Sequence, residues 1–309
     1  MILLNSTPQQ SVAQALQPAN KVQAQAKNNV ETQAENNAEA QAKSLSYQSP
    51  ILSVEHISKS FGTQSVLKDV SLTVSEGETV TVLGKSGVGK SVLLKLIVGL
   101  LELDSGVIAF EGKDISKMTE KEMNGILSEI GFLFQGGALF DSMTVGENLN
   151  IVLQKHTDLP FAEREERILR ALTLVGLGDK IDEMPSALSG GQKKRAGLAR
   201  SIILKPRLIL YDEPTTGLDP ITASSIAALI LSLQKQLGVA SIIVTHDLPT
   251  AYTVSDRVIV LNDSAKIFDG SIEELGTTKH DHLNDFLESA HLDRTRREKV
   301  IKDLSVIKV

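Results

Sequence analysis

The chain has 309 residues, of which 41% are hydrophobic and 23% charged, which is ordinary for a soluble globular protein with a substantial core. Its formal net charge of -6 argues against nucleic acid as a partner, because binding a phosphate backbone needs a basic face. The absence of cysteine excludes disulfides and thiolate metal sites. No apolar run approaches the roughly 20 residues of a membrane span, so we expect any span to come from other chains.

The first segment, residues 1–50, is rich in Gln, Ala and Asn and holds almost no aromatic residue. Such a composition buries too little apolar surface to offset the entropy of ordering. It predicts a disordered tail, with a fluctuating Ala/Gln helix as the alternative. The opening residues turn polar at Asn5, which is unlike a signal peptide or an anchor.

Two alternating segments follow and predict strands at Leu52–Phe61 and Val66–Val74, divided by a turn at Gly62 and Thr63. Phe61 closes the first of these strands shortly before the glycine-rich loop described next. Two interpretations of this ring are open: a platform on which an adenine base stacks, or an ordinary aromatic residue of the core.

The most specific motif is a glycine-rich loop between an apolar strand, Thr79–Leu83, and an apolar helical stretch, Val92–Val98. The loop matches the pattern G-x-x-x-x-G-K-[ST], in which main-chain N–H groups at a helix start surround an anion. Lys90 would reach the β- and γ-phosphates of a nucleotide, and the Ser91 hydroxyl would bind Mg²⁺. The predicted phosphate-binding residues are Gly84, Lys85, Ser86, Gly87, Val88, Gly89, Lys90, Ser91 and Val92.

The next expected elements are a strand at Gly106–Glu111, a helix at Thr119–Leu127 that begins with a capping threonine, and a strand at Ile130–Phe134. Gln135 follows the last of these strands. A glutamine at a strand end near a phosphate site can orient a water molecule or contact Mg²⁺. The alternative is a solvated loop residue.

Residues 144–180 have helical periodicity, and a short polar turn then leads into a further helix at Lys193–Leu204. We call Ser189–Gln192, with the sequence Ser-Gly-Gly-Gln, the signature segment. A capping serine and two glycines at a helix start favour either a second anion site or a plain capped helix.

Polar residues follow two further buried strands, Leu208–Tyr211 and Ser241–Thr245. The carboxyl ends of parallel strands are where α/β sheets bind ligands. Asp212 is therefore the expected Mg²⁺ ligand and Glu213 the expected general base, with two solvated acids as the alternative. His246 is interpreted as a sensor of the γ-phosphate, or as a structural histidine.

The last expected strands, Arg257–Leu261 and Lys266–Phe268, complete the sheet. Beyond them, Leu283–Leu304 has the pattern of a basic amphipathic helix, which favours binding to acidic lipid or to a partner, or else a solvated face. We therefore expect a helical extension over residues 276–309.

In their order and spacing, these motifs resemble those of ATP-binding cassette (ABC) ATPases from about Leu52 to Gly270. The resemblance implies that Phe61 stacks on adenine and that Gln135 links the nucleotide to a transmembrane partner. It also implies that His246 is the switch histidine and that Asp219 lies at a dimer seam. The signature segment, Ser189, Gly190, Gly191 and Gln192, would complete the ATP site of the opposite subunit.

The resemblance implies an α/β fold of the P-loop NTPase, ABC cassette type over residues 51–275. Its parts would be a RecA-like core, an antiparallel β subdomain and an inserted α-helical signature subdomain at about residues 136–204. The cofactors would be ATP and Mg²⁺, with Ser91, Gln135 and Asp212 at the metal. Two copies of the chain would form a head-to-tail homodimer with two ATP molecules at its seam.

Two stretches, residues 133–148 and 245–251, look like the Mla/Mce-associated branch of this family. That resemblance implies phospholipid transport between inner and outer membranes, with an integral membrane permease and an Mce-domain lipid-binding protein as partners. The chain would then lie at the cytoplasmic face of the inner membrane. The alternatives are a cassette that energises transport of another solute, such as an amino acid or a drug, and a regulatory cassette without a transport role.

Overall fold

The computed structural model describes residues 50–275. The predicted tail, apart from Pro50, and the predicted extension over residues 276–309 lie outside the described residues. The basic helix expected at Leu283–Leu304 belongs to that second segment. Within residues 50–275, no helix combines the length and the hydropathy that a bilayer span requires.

The first part of the chain forms an antiparallel sheet with the strand order β2-β1-β4-β5. Its first two strands pair as a hairpin across the predicted turn, with Phe61 opposite Gln64. The strands of this sheet are β1 (Leu52–Phe61), β2 (Gln64–Val74), β4 (Ser105–Phe110) and β5 (Lys113–Asp114).

The second sheet has six strands in the order β10-β9-β3-β8-β7-β6, and all are parallel except β10. The strands β3, β7 and β8 are buried along their whole length, as expected for parallel strands covered on both faces. These strands are β3 (Thr79–Leu83), β6 (Ile130–Leu133), β7 (Leu208–Asp212), β8 (Ala240–Thr245), β9 (Arg257–Asn262) and β10 (Ala265–Ser271).

Eight α-helices connect these strands within the described range. The helical stretch predicted over residues 144–180 is divided in the structure, because Pro160 stands directly before a new helix start. The helices are α1 (Lys90–Ile97), α2 (Glu120–Leu127), α3 (Val145–His156), α4 (Phe161–Leu174), α5 (Gly190–Ile202), α6 (Pro220–Leu237), α7 (Leu248–Val254) and α8 (Ile272–Leu275).

Alternate residues of β7 enter two different apolar clusters, because successive side chains of a strand point to opposite faces. Leu208 and Leu210 pack in a cluster shared with α1 and the antiparallel sheet. Ile209 and Tyr211 pack in a cluster shared with α3, α4, α5 and α6. The parallel sheet is therefore covered on both faces, and its carboxyl edge is left to carry the polar residues.

Candidate active site

The glycine-rich loop joins the end of β3 to the start of α1, as its pattern predicts. Gly89, the residue before the helix, has a φ of 106°, a conformation that a residue with a side chain rarely adopts. A Cβ atom at this position would also lie 2.8 Å from the carbonyl oxygen of Val66. Glycine is therefore required here both by the backbone angle and by the close approach of β2.

The ammonium of Lys90 is buried and folds back over its own loop. It donates to the carbonyl oxygens of Gly84 at 2.9 Å and of Lys85 at 3.1 Å. The same Nζ lies 3.4 Å from Oε1 of Glu213. A positive charge held between the loop and an acidic side chain can bind an anion such as a phosphate group.

The hydroxyl of Ser91 donates to Oδ1 of Asp212 at 2.7 Å. This contact brings together a hydroxyl and a carboxylate from two different elements, the first turn of α1 and the end of β7. Mg²⁺ prefers oxygen ligands and takes the rest of its coordination from water and substrate phosphates. The pair therefore fits the Mg²⁺ site that the sequence predicts.

Glu213 follows β7 directly and has a φ of 48°, which is unusual for a residue other than glycine. Its carboxylate faces Nδ1 of His246 at 3.0 Å and accepts from the hydroxyls of Thr216 at 2.9 Å and Thr245 at 3.3 Å. Burial raises the pKa of Glu213, but the hydrogen bonds of His246 and Thr216 and the charge of Lys90 outweigh it. The pKa is held below its ordinary value, so the carboxylate stays ionised at neutral pH.

One cavity of about 400 Å³ collects most of the predicted site residues. Those that line it are Phe61, Ser86, Gly87, Gly89, Lys90, Ser91, Val92, Gln135, Glu213 and His246, together with Val66 and Thr216, which the sequence did not single out. Gly84, Lys85, Val88 and Asp212 do not line this cavity. Asp212 joins the site through Ser91.

The ring of Phe61 is 47% exposed at the end of β1, and Nζ of Lys59 lies 5.6 Å from its centroid. The interpretation of Phe61 as a core residue is therefore wrong. β1 ends at this residue, so its last side chain stands at the mouth of the cavity instead of packing between the sheets. Its role as a platform for a base stays a prediction.

The signature segment and Asp219 do not line the cavity. Ser189 and Gln192 form a reciprocal cap at the start of α5, so the capped-helix geometry is present. A Cβ atom on Gly191 would lie 2.6 Å from a methyl group of Thr222, on the helix whose start Asp219 caps. The start of α5 and the start of α6 therefore lie beside each other, and neither motif lines the cavity next to the glycine-rich loop.

Three further residues of the site region are absent from the sequence-based predictions. The hydroxyl of Thr216 donates a hydrogen bond to the Glu213 carboxylate. Lys194 donates hydrogen bonds to the main-chain carbonyls of Gln135 and Glu213. Asn148 forms hydrogen bonds with the loop that follows Gln135. No sequence motif includes them, because each contact depends on which side of a helix or turn faces the sheet. A polar residue at an inward helical position was the available signal for Lys194 and Asn148.

The fold and the site define a P-loop α/β protein with an acid and a histidine at neighbouring strand ends. A profile of the ABC transporter family matches residues 67–216. The chain is 36% identical over 238 residues to the Escherichia coli "Intermembrane phospholipid transport system ATP-binding protein MlaF", covering 77% of this chain and 88% of that protein. It belongs to the family of ABC transporter ATP-binding proteins.

A second relative and a solved structure extend the comparison. The chain is 39% identical over 236 residues to the Mycobacterium tuberculosis "Probable ribonucleotide transport ATP-binding protein mkl", and spans 76% of itself and 66% of that longer protein. The dimeric cassette MJ0796, bound to ADP and Pi, has a TM-score of 0.66 and 30% identity over 72% of this chain and 98% of that one. Both the ABC cassette fold and its dimeric form therefore have precedent at this level of similarity.

Proposed function

We propose that this chain is the ATP-hydrolysing subunit of an ABC transporter that drives phospholipid movement between two membranes. The observation that carries the proposal is the ionised Glu213 carboxylate, which His246 holds in the same cavity as Lys90 and the glycine-rich loop. A fixed base beside a phosphate cradle is the arrangement that hydrolysis of a nucleotide needs.

In this proposal Glu213 accepts a proton from a water molecule whose oxygen attacks the γ-phosphorus of ATP. The bond from that phosphorus to the bridging oxygen of ADP breaks, and ADP and phosphate leave. Lys90 holds the β- and γ-phosphates, and His246 orients the base. Ser91 and Asp212, with Gln135 nearby, would hold Mg²⁺, which neutralises phosphate charge when bound.

The active form in this proposal is a homodimer with two ATP molecules at its seam. The signature segment and Asp219 do not line the cavity of their own chain, and in this proposal they act on the nucleotide held by a second copy. The dimeric MJ0796 structure supports this arrangement. Ser189 and the two glycines would then face the phosphates held by the loop of the partner.

Phospholipid is the proposed cargo because the relative of which this chain covers 88% bears the name of an intermembrane phospholipid transport protein. The proposed companions are an integral permease and an Mce-domain lipid-binding protein. In this proposal the chain binds the cytoplasmic face of the inner membrane through the permease.

An apolar groove of about 480 Å³ beside Gln135 is the proposed permease contact. Phe132 and Phe134 stack in it with their ring centroids 4.1 Å apart, and Phe140 is 51% exposed at its edge. Because Phe134 precedes Gln135 directly, a segment seated in this groove lies one residue from the nucleotide cavity. Movement at the nucleotide can therefore reach the permease.

The test is to purify the full chain with its membrane companions and to measure phosphate release with ATP and Mg²⁺. We expect hydrolysis, together with co-purification of a permease and an Mce-domain protein, and lipid transfer between vesicles that depends on ATP. A complex that contains a soluble solute receptor instead would contradict the lipid assignment. Failure to bind and cleave ATP would contradict the ATPase assignment itself.

A substitution in the groove tests the docking contact separately. We expect Phe140→Asp to reduce capture of the permease while the isolated subunit still binds ATP, because a charge would replace an apolar contact. Phe161→Asp is the matched control, since Phe161 is 61% exposed on α4 and does not line the groove. If both variants captured the permease equally well, the groove would not be the permease contact.

A further inference from the structure

Lys194 is a buried lysine on the second turn of α5, with only 5% of its surface exposed. Its ammonium donates to two main-chain carbonyl oxygens, that of Gln135 and, at 3.0 Å, that of Glu213. Among residues 50–275, no carboxylate lies within salt-bridge distance of it. The side chain therefore connects α5, the helix that begins at the signature segment, to the two loops that carry Gln135 and Glu213.

A buried ammonium carries a desolvation cost, and burial accordingly lowers the pKa of Lys194. The negative charges of Asp212 and Glu213 act in the opposite direction and favour the charged form. An uncharged aliphatic side chain in place of lysine would avoid the cost of burying the charge. Such a side chain could not donate hydrogen bonds to the carbonyl oxygens of Gln135 and Glu213.

The Glu213 contact matters because this residue has a left-handed backbone, with a φ of 48°. Such a conformation is unfavourable for a residue with a side chain and persists only where neighbouring groups hold it. The Glu213 amide donates to the carbonyl of Val244 at 2.9 Å, and the Glu213 carbonyl accepts from Lys194. The peptide groups on both sides of the proposed base are therefore fixed, one by β8 and one by α5.

The same helix begins at the signature segment, which the proposed function places against the ATP of the second copy. We propose that Lys194 is a positioning residue that transmits the seating of this helix to Gln135 and Glu213 of its own site. This role rests on the proposed function, in which the dimer holds two ATP molecules: Lys194 would couple the ATP site that its helix faces to the ATP site of its own chain. It acts through hydrogen-bond donors on the main chain and does not touch the substrate.

The experiment compares Lys194→Met, Lys194→Gln and Lys193→Met in the full chain, with ATP and Mg²⁺. Methionine keeps the unbranched chain of lysine as far as Cε but has no donor, while the glutamine amide carries two hydrogens for the two carbonyls. Lys193 is the adjacent half-buried lysine of the same helix and serves as the control. Each variant is assayed for kcat, for KM and for its melting temperature without nucleotide.

We expect Lys194→Met to lower kcat about tenfold or more, since small displacements of a catalytic group cost that much. KM for ATP should stay within about twofold, because Lys90 and the loop that bind the phosphates are untouched. We expect Lys194→Gln to restore most of kcat and Lys193→Met to behave like the wild type. A wild-type kcat in Lys194→Met overturns the inference, as does an equal loss in the methionine and glutamine variants.

Lys194→Asn is the second variant, for the case in which the methionine chain does not fold. Its polar side chain is too short to reach either carbonyl, so the same selective loss of kcat is expected. If neither Lys194→Met nor Lys194→Asn folds, Lys194 is needed for the stability of the fold and the inference is wrong. A wild-type chain that does not hydrolyse ATP instead contradicts the proposed function, which separates the two failures.

Discussion

Nδ1 of His246 lies 3.0 Å from one carboxylate oxygen of Glu213 and 3.1 Å from the other. A single ring nitrogen therefore faces both oxygens of the proposed base. Lys90 approaches the same carboxylate from the loop side, at 3.4 Å. In the proposed mechanism Lys90 binds phosphate, and the contact with His246 leaves the carboxylate a partner that does not depend on Lys90.

Replacement of the base gives the first prediction. We expect Glu213→Gln to lower ATP hydrolysis about a hundredfold or more, because an amide cannot accept the proton from water. ATP binding should survive, and the chain should accumulate as an ATP-bound dimer. Phosphate release and size-exclusion chromatography with ATP and Mg²⁺ measure the two effects.

Glu163→Gln is the control for that variant, since Glu163 is an exposed residue of the first turn of α4. It removes the same charge far from the cavity lining and should leave both readouts at wild-type values. Hydrolysis at the wild-type rate by Glu213→Gln would show that another group is the base.

The depressed pKa of Glu213 gives a prediction for the pH profile. A general base works when ionised, so kcat/KM falls as pH drops through the pKa of Glu213, which lies below the ordinary value of 4.5. Thr216→Val removes the hydroxyl that bonds the carboxylate, while the burial that raises the pKa remains. We expect the acid limb of the profile to move to higher pH.

Thr216→Ser is the comparison for this measurement because it keeps the hydroxyl and removes only a methyl group. Its acid limb should coincide with that of the wild type. Identical profiles for Thr216→Val and Thr216→Ser would mean that the hydrogen bond does not set the pKa of the base.

Much of the fold was predictable because its signals are local. Alternation predicts Leu52–Phe61, and the structure has a strand with those bounds. Threonine followed by acids predicts a helix cap at Thr119, which the structure forms. The carboxyl-edge rule predicts that Glu213 and His246 each lie at the ligand-binding edge of the sheet, and the structure brings them into contact at the ends of neighbouring strands. Each of these inferences uses at most one strand and the residue that ends it.

The remaining contacts depend on three-dimensional neighbours that no local pattern encodes. The exposure of Phe61 depends on where β1 ends relative to the second sheet, and its apolar character alone favoured the core. Lys194 is the middle one of three consecutive basic residues, and which of them is buried depends on which face of α5 packs against the rest of the protein. The positive φ of Glu213 likewise is not indicated by its residue type, and it occurs together with a hydrogen bond from the Glu213 amide to Val244 of β8.

The phosphate-binding lysine gives the third prediction. We expect Lys90→Ala to lower the affinity for a non-hydrolysable ATP analogue at least tenfold, or about 1.4 kcal/mol, because the charge that meets the phosphates is removed. Calorimetric titration measures it. Lys95→Ala, an exposed position on the same helix, should leave the affinity unchanged. Equal affinity in both variants would refute the role of Lys90.

The loop after Gln135 gives a prediction about stability. The side chain of Asn148 is fully buried, and the two hydrogens of its Nδ2 are shared among the carbonyl oxygens of Phe140, Met143 and Thr144 at 2.9–3.1 Å, while its Oδ1 accepts from the Phe140 amide at 2.7 Å. We expect Asn148→Ala to lower the free energy of unfolding by about 2–4 kcal/mol, because buried main-chain groups lose their partners.

Urea denaturation without nucleotide measures this loss, and Asn124→Ala is the control because Asn124 is exposed on α2. A surface change of that kind should stay within about 0.5 kcal/mol of the wild type. Since the bonds of Asn148 shape the edge of the groove at Phe140, the Asn148 variant should also capture less permease. A variant as stable as the wild type would mean that water replaces the amide, and that the loop does not depend on it.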